Sequence, residues 1–109
     1  IMVNICSLYP KKEGRRFDFE YYLKVHMPMS VERLSGAAGF KGLSVERGVS
    51  LDIPKIESSY FAMCHYYFDS LENFMAAFIP HADVLQGDIK NYTDVEPIIQ
   101  INEVEMSLP

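Results

Sequence analysis

From Ile1 to Tyr9 the chain sets Ile1, Val3 and Ile5 on one face and Met2, Cys6 and Leu8 on the other, so both faces are largely apolar. This pattern predicts a central strand, ended by Tyr9-Pro10. Lys11 to Arg16 reads as a charged loop, after which Asp18 can cap a helix with Glu20 in its first turn. Phe19, Tyr22, Leu23 and His26 follow at i, i+3, i+4 and i+7, which places His26 on the inward stripe. Pro28 is expected to interrupt or bend this helix, which resumes over Ser30 to Leu34 and stops at Gly36 and Gly39.

Phe40 to Val49 alternates loosely enough for an edge strand with one wetter face, and Ser50 to Glu57 is a polar connection containing Pro54. Ser58 to Phe68, rich in Tyr and Phe on both faces, predicts a second central strand. Asp69 and Glu72 have the spacing of a capping box ahead of Leu71, Phe74, Met75 and Phe78, which predict a helix ended or bent at Pro80. His81 to Tyr92 reads as a short helical stretch and loop, and Val95 to Met106 as a last strand. The order is therefore βαββαβ, with no internal repeat or linker, and residues 1–109 read as one domain. Two such halves build a four-stranded antiparallel sheet with both helices on one face, an α+β, ferredoxin-like fold. The other sheet face is left bare, and pairing with a second copy is its simplest cover.

Composition narrows the partners. Ten basic against fifteen acidic residues give a net charge of −5, which repels nucleic-acid backbones and anionic membranes. No run approaches the roughly 18 apolar residues of a spanning helix, and Ile1 to Leu8 is too short and too lightly flanked by positive charge for a signal peptide. Neither nucleic acid nor membrane is expected as a partner. Ile1 precedes Met2, a plausible initiator, so Ile1 reads as a cloning remnant. Cys6 and Cys64 both sit inside apolar strands, an arrangement that suits a reducing cytoplasm better than a disulfide framework.

Three groups of residues carry a resemblance: Tyr21-Tyr22 with His26 and Pro28; Phe78 with Pro80-His81-Ala82; and Gly87-Asp88 through Asn91-Tyr92-Thr93-Asp94. Together they span most of the chain and resemble the EthD family, named for a protein of ethyl tert-butyl ether degradation, within the dimeric α+β barrel group. The resemblance implies a homodimer whose two sheets pack into a barrel. It leaves the chemistry open, because relatives in the wider group include cofactor-free oxygenases on polycyclic aromatics, decarboxylases, haem-degrading enzymes and members of no known activity.

Among residues that carry chemistry, His26 ranks first. A histidine on an apolar helix face serves as a general base or as a core histidine bonded to a backbone carbonyl, and the resemblance favours the base. His81, at the break after Pro80, reads either as a catalytic partner of His26 across a pocket or as a surface group at a helix end. The resemblance assigns it no fixed role, since family members often carry another polar residue there. Tyr22, Tyr66, Phe78 and Tyr92 are the candidate substrate-binding residues, with Phe74, Met29, Met63 and Met75 as further lining or plain core. Asp88 and Asp94 are supporting candidates that orient a histidine or cap a turn, and Asn91 shares that polar, turn-rich cluster. His65, facing away from Tyr66 on its strand, reads as structural.

The three histidines lack ligand spacing, so no metal is expected. There is no Gly-rich phosphate loop, GxSxG or CxxC, and neither a tryptophan nor an axial-ligand motif to support haem, so no cofactor is expected. The leading expectation is a small homodimeric oxidoreductase or lyase acting by cofactor-free proton abstraction on an apolar, aromatic or ketone-bearing small molecule. Oxygenation, dehydration and decarboxylation would each use one base, one hydrogen-bond donor and a dry cavity. The rival is a noncatalytic binding or accessory protein whose pocket sequesters a hydrophobic compound.

Overall fold

A computed structural model describes residues 2–109, and Ile1 lies outside them. Strand β1 (Val3–Pro10) pairs antiparallel with both β3 (Tyr60–Phe68) and β4 (Ile98–Glu103), and β3 pairs with β2 (Phe40–Arg47). The sheet order β2-β3-β1-β4 is that of the four-stranded antiparallel ferredoxin-like fold, with the two strands of two-sided apolarity in the centre. Register explains the core. Val3, Ile5 and Tyr9 align with Phe68, Tyr66 and Ala62 on one face, and all six are buried beneath the helices. Asn4, Cys6 and Leu8 lie on the other face with Tyr67, His65 and Met63.

That second face differs from the uniformly apolar surface that the strand pattern suggests. His65 Nε2 lies 2.9 Å from Glu46 Oε1, while its Nδ1 lies 3.2 Å from both Asn4 Nδ2 and Cys6 Sγ. The bare face is thus a polar network set among Leu8, Met63 and Tyr67, and His65 has the structural bonding expected of it. At the β4 edge, Ile98, Ile99 and Ile101 are exposed. This strand is shorter than the expected 95–106: the backbone N–H of Val95 donates to Thr93 Oγ1, and pairing begins only after Pro97, which has no N–H to offer a ladder.

The first helical segment runs on through Pro28, where an interruption or a bend was expected, and a widened turn takes up the proline. It runs from α1 (Phe19–Tyr21) through a π turn (Tyr22–His26) into α2 (Met27–Leu34), with Asp18 accepting a cap bond from the Tyr21 N–H. An ordinary helix would need the missing Pro28 N–H and would crowd its ring against the carbonyl four residues back. The wide turn just before Pro28, closed by the Met27 N–H on the Tyr22 carbonyl, accommodates the ring without a break. It keeps Tyr22 and His26 inward but leaves Leu23, expected on the same stripe, 51% exposed.

The second helical region is α3 (Leu71–Phe78), a 3-10 turn (Ile79–His81) containing Pro80, α4 (Ala82–Gly87) and a second 3-10 turn (Ile89–Asn91). The cap of α3 is shifted by one residue from the expected box: Ser70 accepts from the Asn73 N–H at 3.1 Å, and Asp69 instead accepts from the Asn73 side chain at 2.8 Å. Ser70→Ala should therefore lower unfolding stability by about 1 kcal/mol, the usual worth of a cap, and Asp69→Ala by clearly less. Urea denaturation of the two variants decides between these caps, and the reverse order would restore Asp69 to the role.

Candidate active site

Between the sheet and helices α2 and α3 lies a cavity of about 260 Å³. Ile5, Leu34, Phe74 and Phe78 make its apolar wall, and Ile99 and Ile101 stand on the β4 side. His26, Ser30 and Tyr66 bring polar atoms to this wall, as do Ser7 and Gln86. The size suits a small molecule, at the low end for ligand pockets.

The end of the π turn places His26 between aromatic rings. Tyr22 stacks on it at 5.6 Å between ring centroids and 15° between planes, and Tyr92 lies against it at 4.6 Å. Its Nδ1 is 2.9 Å from Oδ2 of Asp88, which sits just past α4. A carboxylate only accepts, so Nδ1 carries the proton and Nε2 is the basic nitrogen. Nε2 makes no hydrogen bond among the described residues, and the ring it belongs to lines the cavity. Burial pushes the imidazole below the ordinary histidine value, and the hydrogen bond and charge of Asp88 only partly offset this. His26 is therefore neutral near pH 7, the form a base needs.

Asp88 is a hub. Besides His26 it accepts from the Tyr21 hydroxyl at 2.6 Å and the Asn91 amide at 2.9 Å, both on Oδ1. Desolvation pushes its carboxyl up, but the three hydrogen bonds, from Tyr21, Asn91 and His26, together outweigh that and hold it below the usual carboxylate value. Tyr21 and Asn91 thus support the dyad. Both stand in the motifs that carry the resemblance, and Asn91 in the polar cluster with Asp88, but no local pattern showed that they bond this carboxylate.

The remaining candidates fall in three places. Tyr66 and Phe78 line the cavity with His26. Tyr22 and Tyr92 are fully buried behind the histidine, and the Tyr92 hydroxyl bonds that of Tyr9 at 2.6 Å; burial pushes the Tyr9 phenol up to about 12. These two shape the histidine's seat without lining the cavity. His81 and Asp94 stand elsewhere. His81 Nδ1 lies 3.2 Å from Arg33 Nη1 on the outer surface and is not on the cavity wall, because the 3-10 turn at Pro80 aims it outward over α2. Asp94 accepts from the Arg16 N–H at 3.0 Å and ties down the loop before α1. Ser30 was not singled out in the sequence, although its position four residues after His26 places it on the same helix face. Among the described residues, no three His, Cys, Asp or Glu side chains gather to hold a metal ion, and no helix is long and apolar enough to cross a membrane.

No family model and no curated protein matches the chain. Among solved structures, an EthD-like protein from Ralstonia eutropha JMP134 is 42% identical over 97% of this chain and 96% of its own, with a TM-score of 0.84. An ethyl tert-butyl ether degradation (EthD) family protein from Bacillus halodurans C-125 is 21% identical over 95% of this chain and 99% of its own, with a TM-score of 0.65. A proposed monooxygenase from Shewanella loihica PV-4, 8% identical over 97% of this chain and 96% of its own, reaches 0.66. The last two share the fold alone. With the first, identity and coverage are high enough that the chain belongs to the EthD-like family.

Proposed function

We propose that this chain is a small homodimeric enzyme, an oxidoreductase or lyase, that abstracts a proton from an apolar small molecule with His26 as base and Asp88 as its positioning residue. The observation that carries this reading is the histidine itself: Nδ1 held by a carboxylate, Nε2 unbonded among the described residues, and the ring on the wall of a mostly apolar cavity. When Nε2 takes a proton, the new imidazolium sits 2.9 Å from the Asp88 carboxylate, which stabilises the charge at the moment it forms. His81 takes no part in this scheme, since Arg33 holds it outside the cavity.

Sheet-to-sheet pairing is supported by the open face, where Leu8, Met63 and Tyr67 surround the His65 network with no helix above them. Cytoplasmic residence is supported by the two buried free thiols, Cys6 and Cys64.

A screen of one- and two-ring ketones and phenols for turnover, with His26→Ala as control, tests the enzyme reading. Asp88→Asn should lower kcat about 10- to 100-fold with little change in KM. The wild-type kcat/KM should rise with pH through a midpoint below the ordinary histidine value, since only neutral His26 accepts a proton. Saturable binding without product, unaffected by His26→Ala, would replace the enzyme with a hydrophobic-ligand carrier.

Stability has its own pH dependence. Because folded His26 titrates below its unfolded value of about 6.5, the unfolded chain takes up the proton first, and stability falls as pH drops through that value. Asp88, also depressed, adds a second loss as pH falls below about 4. Melting temperature against pH should show both limbs in the wild type, and His26→Gln should remove only the upper one. For assembly, Met63→Glu, which sets a second carboxylate beside Glu46 on the open face, should shift sedimentation from dimer to monomer.

A further inference from the structure

The Ser30 and Tyr66 hydroxyls are hydrogen-bonded to each other across the cavity wall, one from α2 and one from the central strand β3. A pair of hydroxyls joined by one bond uses one of its two protons internally, whichever oxygen donates. The other proton is left over. Neither oxygen makes a further hydrogen bond to nitrogen or oxygen among the described residues, and the one competing partner is the buried Cys64 thiol beside Tyr66, a weak acceptor, so the second O–H is better spent on an oxygen at the wall that His26 shares. Burial pushes the Tyr66 phenol well above its ordinary value, so it stays protonated and available as a donor.

Position makes this donor relevant to the histidine. Ser30 lies four residues beyond His26 along α2, which sets the two on one helix face with their Cβ atoms roughly 5–6 Å apart. A basic nitrogen and a neutral O–H donor at that spacing, on a wall otherwise made mostly of Ile, Leu, Phe and Met with Ser7 and Gln86, match a molecule with two features two bonds apart: an acidic C–H and a carbonyl oxygen.

We propose that the Ser30–Tyr66 hydroxyl pair receives the oxygen of an enolisable ketone whose adjacent C–H faces His26, so that the substrate class is a compact, mostly hydrocarbon one- or two-ring ketone. This inference rests on His26 acting as the base. In the step, the C–H bond next to the carbonyl breaks and its proton goes to Nε2. The electron pair left behind forms the C=C bond of an enolate, and the carbonyl π pair moves onto oxygen, where the hydroxyl pair donates to the new negative charge. Return of the proton to the same carbon exchanges hydrogen, and return to a conjugated carbon shifts a double bond; neither needs a co-reactant. A donor aimed at the oxygen acts more strongly on the enolate than on the ketone, so it serves the reaction as well as binding.

Two probes of nearly equal shape separate recognition of the oxygen from proton transfer. 2-Tetralone carries the carbonyl and tetralin does not; binding is read by calorimetry, and exchange of the tetralone hydrogens next to the carbonyl by proton NMR in D₂O. The wild type should bind 2-tetralone about 3- to 10-fold more tightly than tetralin and exchange its hydrogens faster than buffer. Tyr66→Phe, which keeps the ring that fills the core, should slow exchange about 100-fold. Ser30→Ala/Tyr66→Phe should erase the preference for the ketone. His26→Ala should stop exchange and keep the preference. Equal binding of the two probes by the wild type, failure of both to bind, or a preference that survives in the double variant would overturn the hydroxyl pair as the oxygen receiver. A wild type that prefers the ketone but exchanges nothing would uphold the receiver and remove His26 as the base.

Discussion

One carboxylate holds the candidate site together. Asp88 stands where the second helical region turns back towards β4, and it gathers an imidazole from the π turn, a phenol from α1 and an amide from the turn that follows it. A partly buried negative charge demands such company, because water is no longer there to solvate it. Satisfying it ties the helical segment 19–34 to the turn at 88–91. It also selects which nitrogen of His26 is basic, so that one requirement of electrostatics sets both a tertiary contact and the chemistry available to the cavity.

The π turn is the second part of the same arrangement. Pro28 cannot be placed in a regular helix without losing a hydrogen bond, and the chain adds a residue to the preceding turn instead. That wider turn presents Tyr22 and His26 to the interior together, the ring of one stacked on the other, while Tyr92 closes the third side. The buried tyrosines serve as a rigid wall behind the imidazole, and the Tyr9–Tyr92 hydrogen bond anchors that wall to the central strand β1. The side of His26 that faces the cavity meets Ser30, Tyr66 and a mostly hydrocarbon wall.

The two faces of the sheet divide the molecule's histidines by task. His26 belongs to the helix-covered face and to an apolar cavity, and His65 belongs to the opposite face, where Glu46, Asn4 and Cys6 engage it. His81 belongs to neither, joined to Arg33 over the outside of the helices. Three residues of one type thus occupy three environments, and only one combines a fixed tautomer, an unbonded nitrogen and a cavity.

The sequence by itself determined the element order and the central place of β1 and β3, because period-2 and period-3.6 apolar patterns are local and both faces of those strands carry apolar residues. It also determined that His26 lies inward and, through scattered motifs, the family. Other features depended on tertiary structure. Whether Ser70 or Asp69 caps α3 turned on a one-residue shift that both side chains could satisfy. Whether Pro28 broke or widened its helix depended on what the neighbouring residues packed against. The bonding of His26 to Asp88, 62 residues away, the outward turn of His81 and the meeting of Ser30 with Tyr66 are contacts between elements far apart in the chain. No local pattern encodes them, because a side chain's partner across a cavity is set by how helices sit on a sheet.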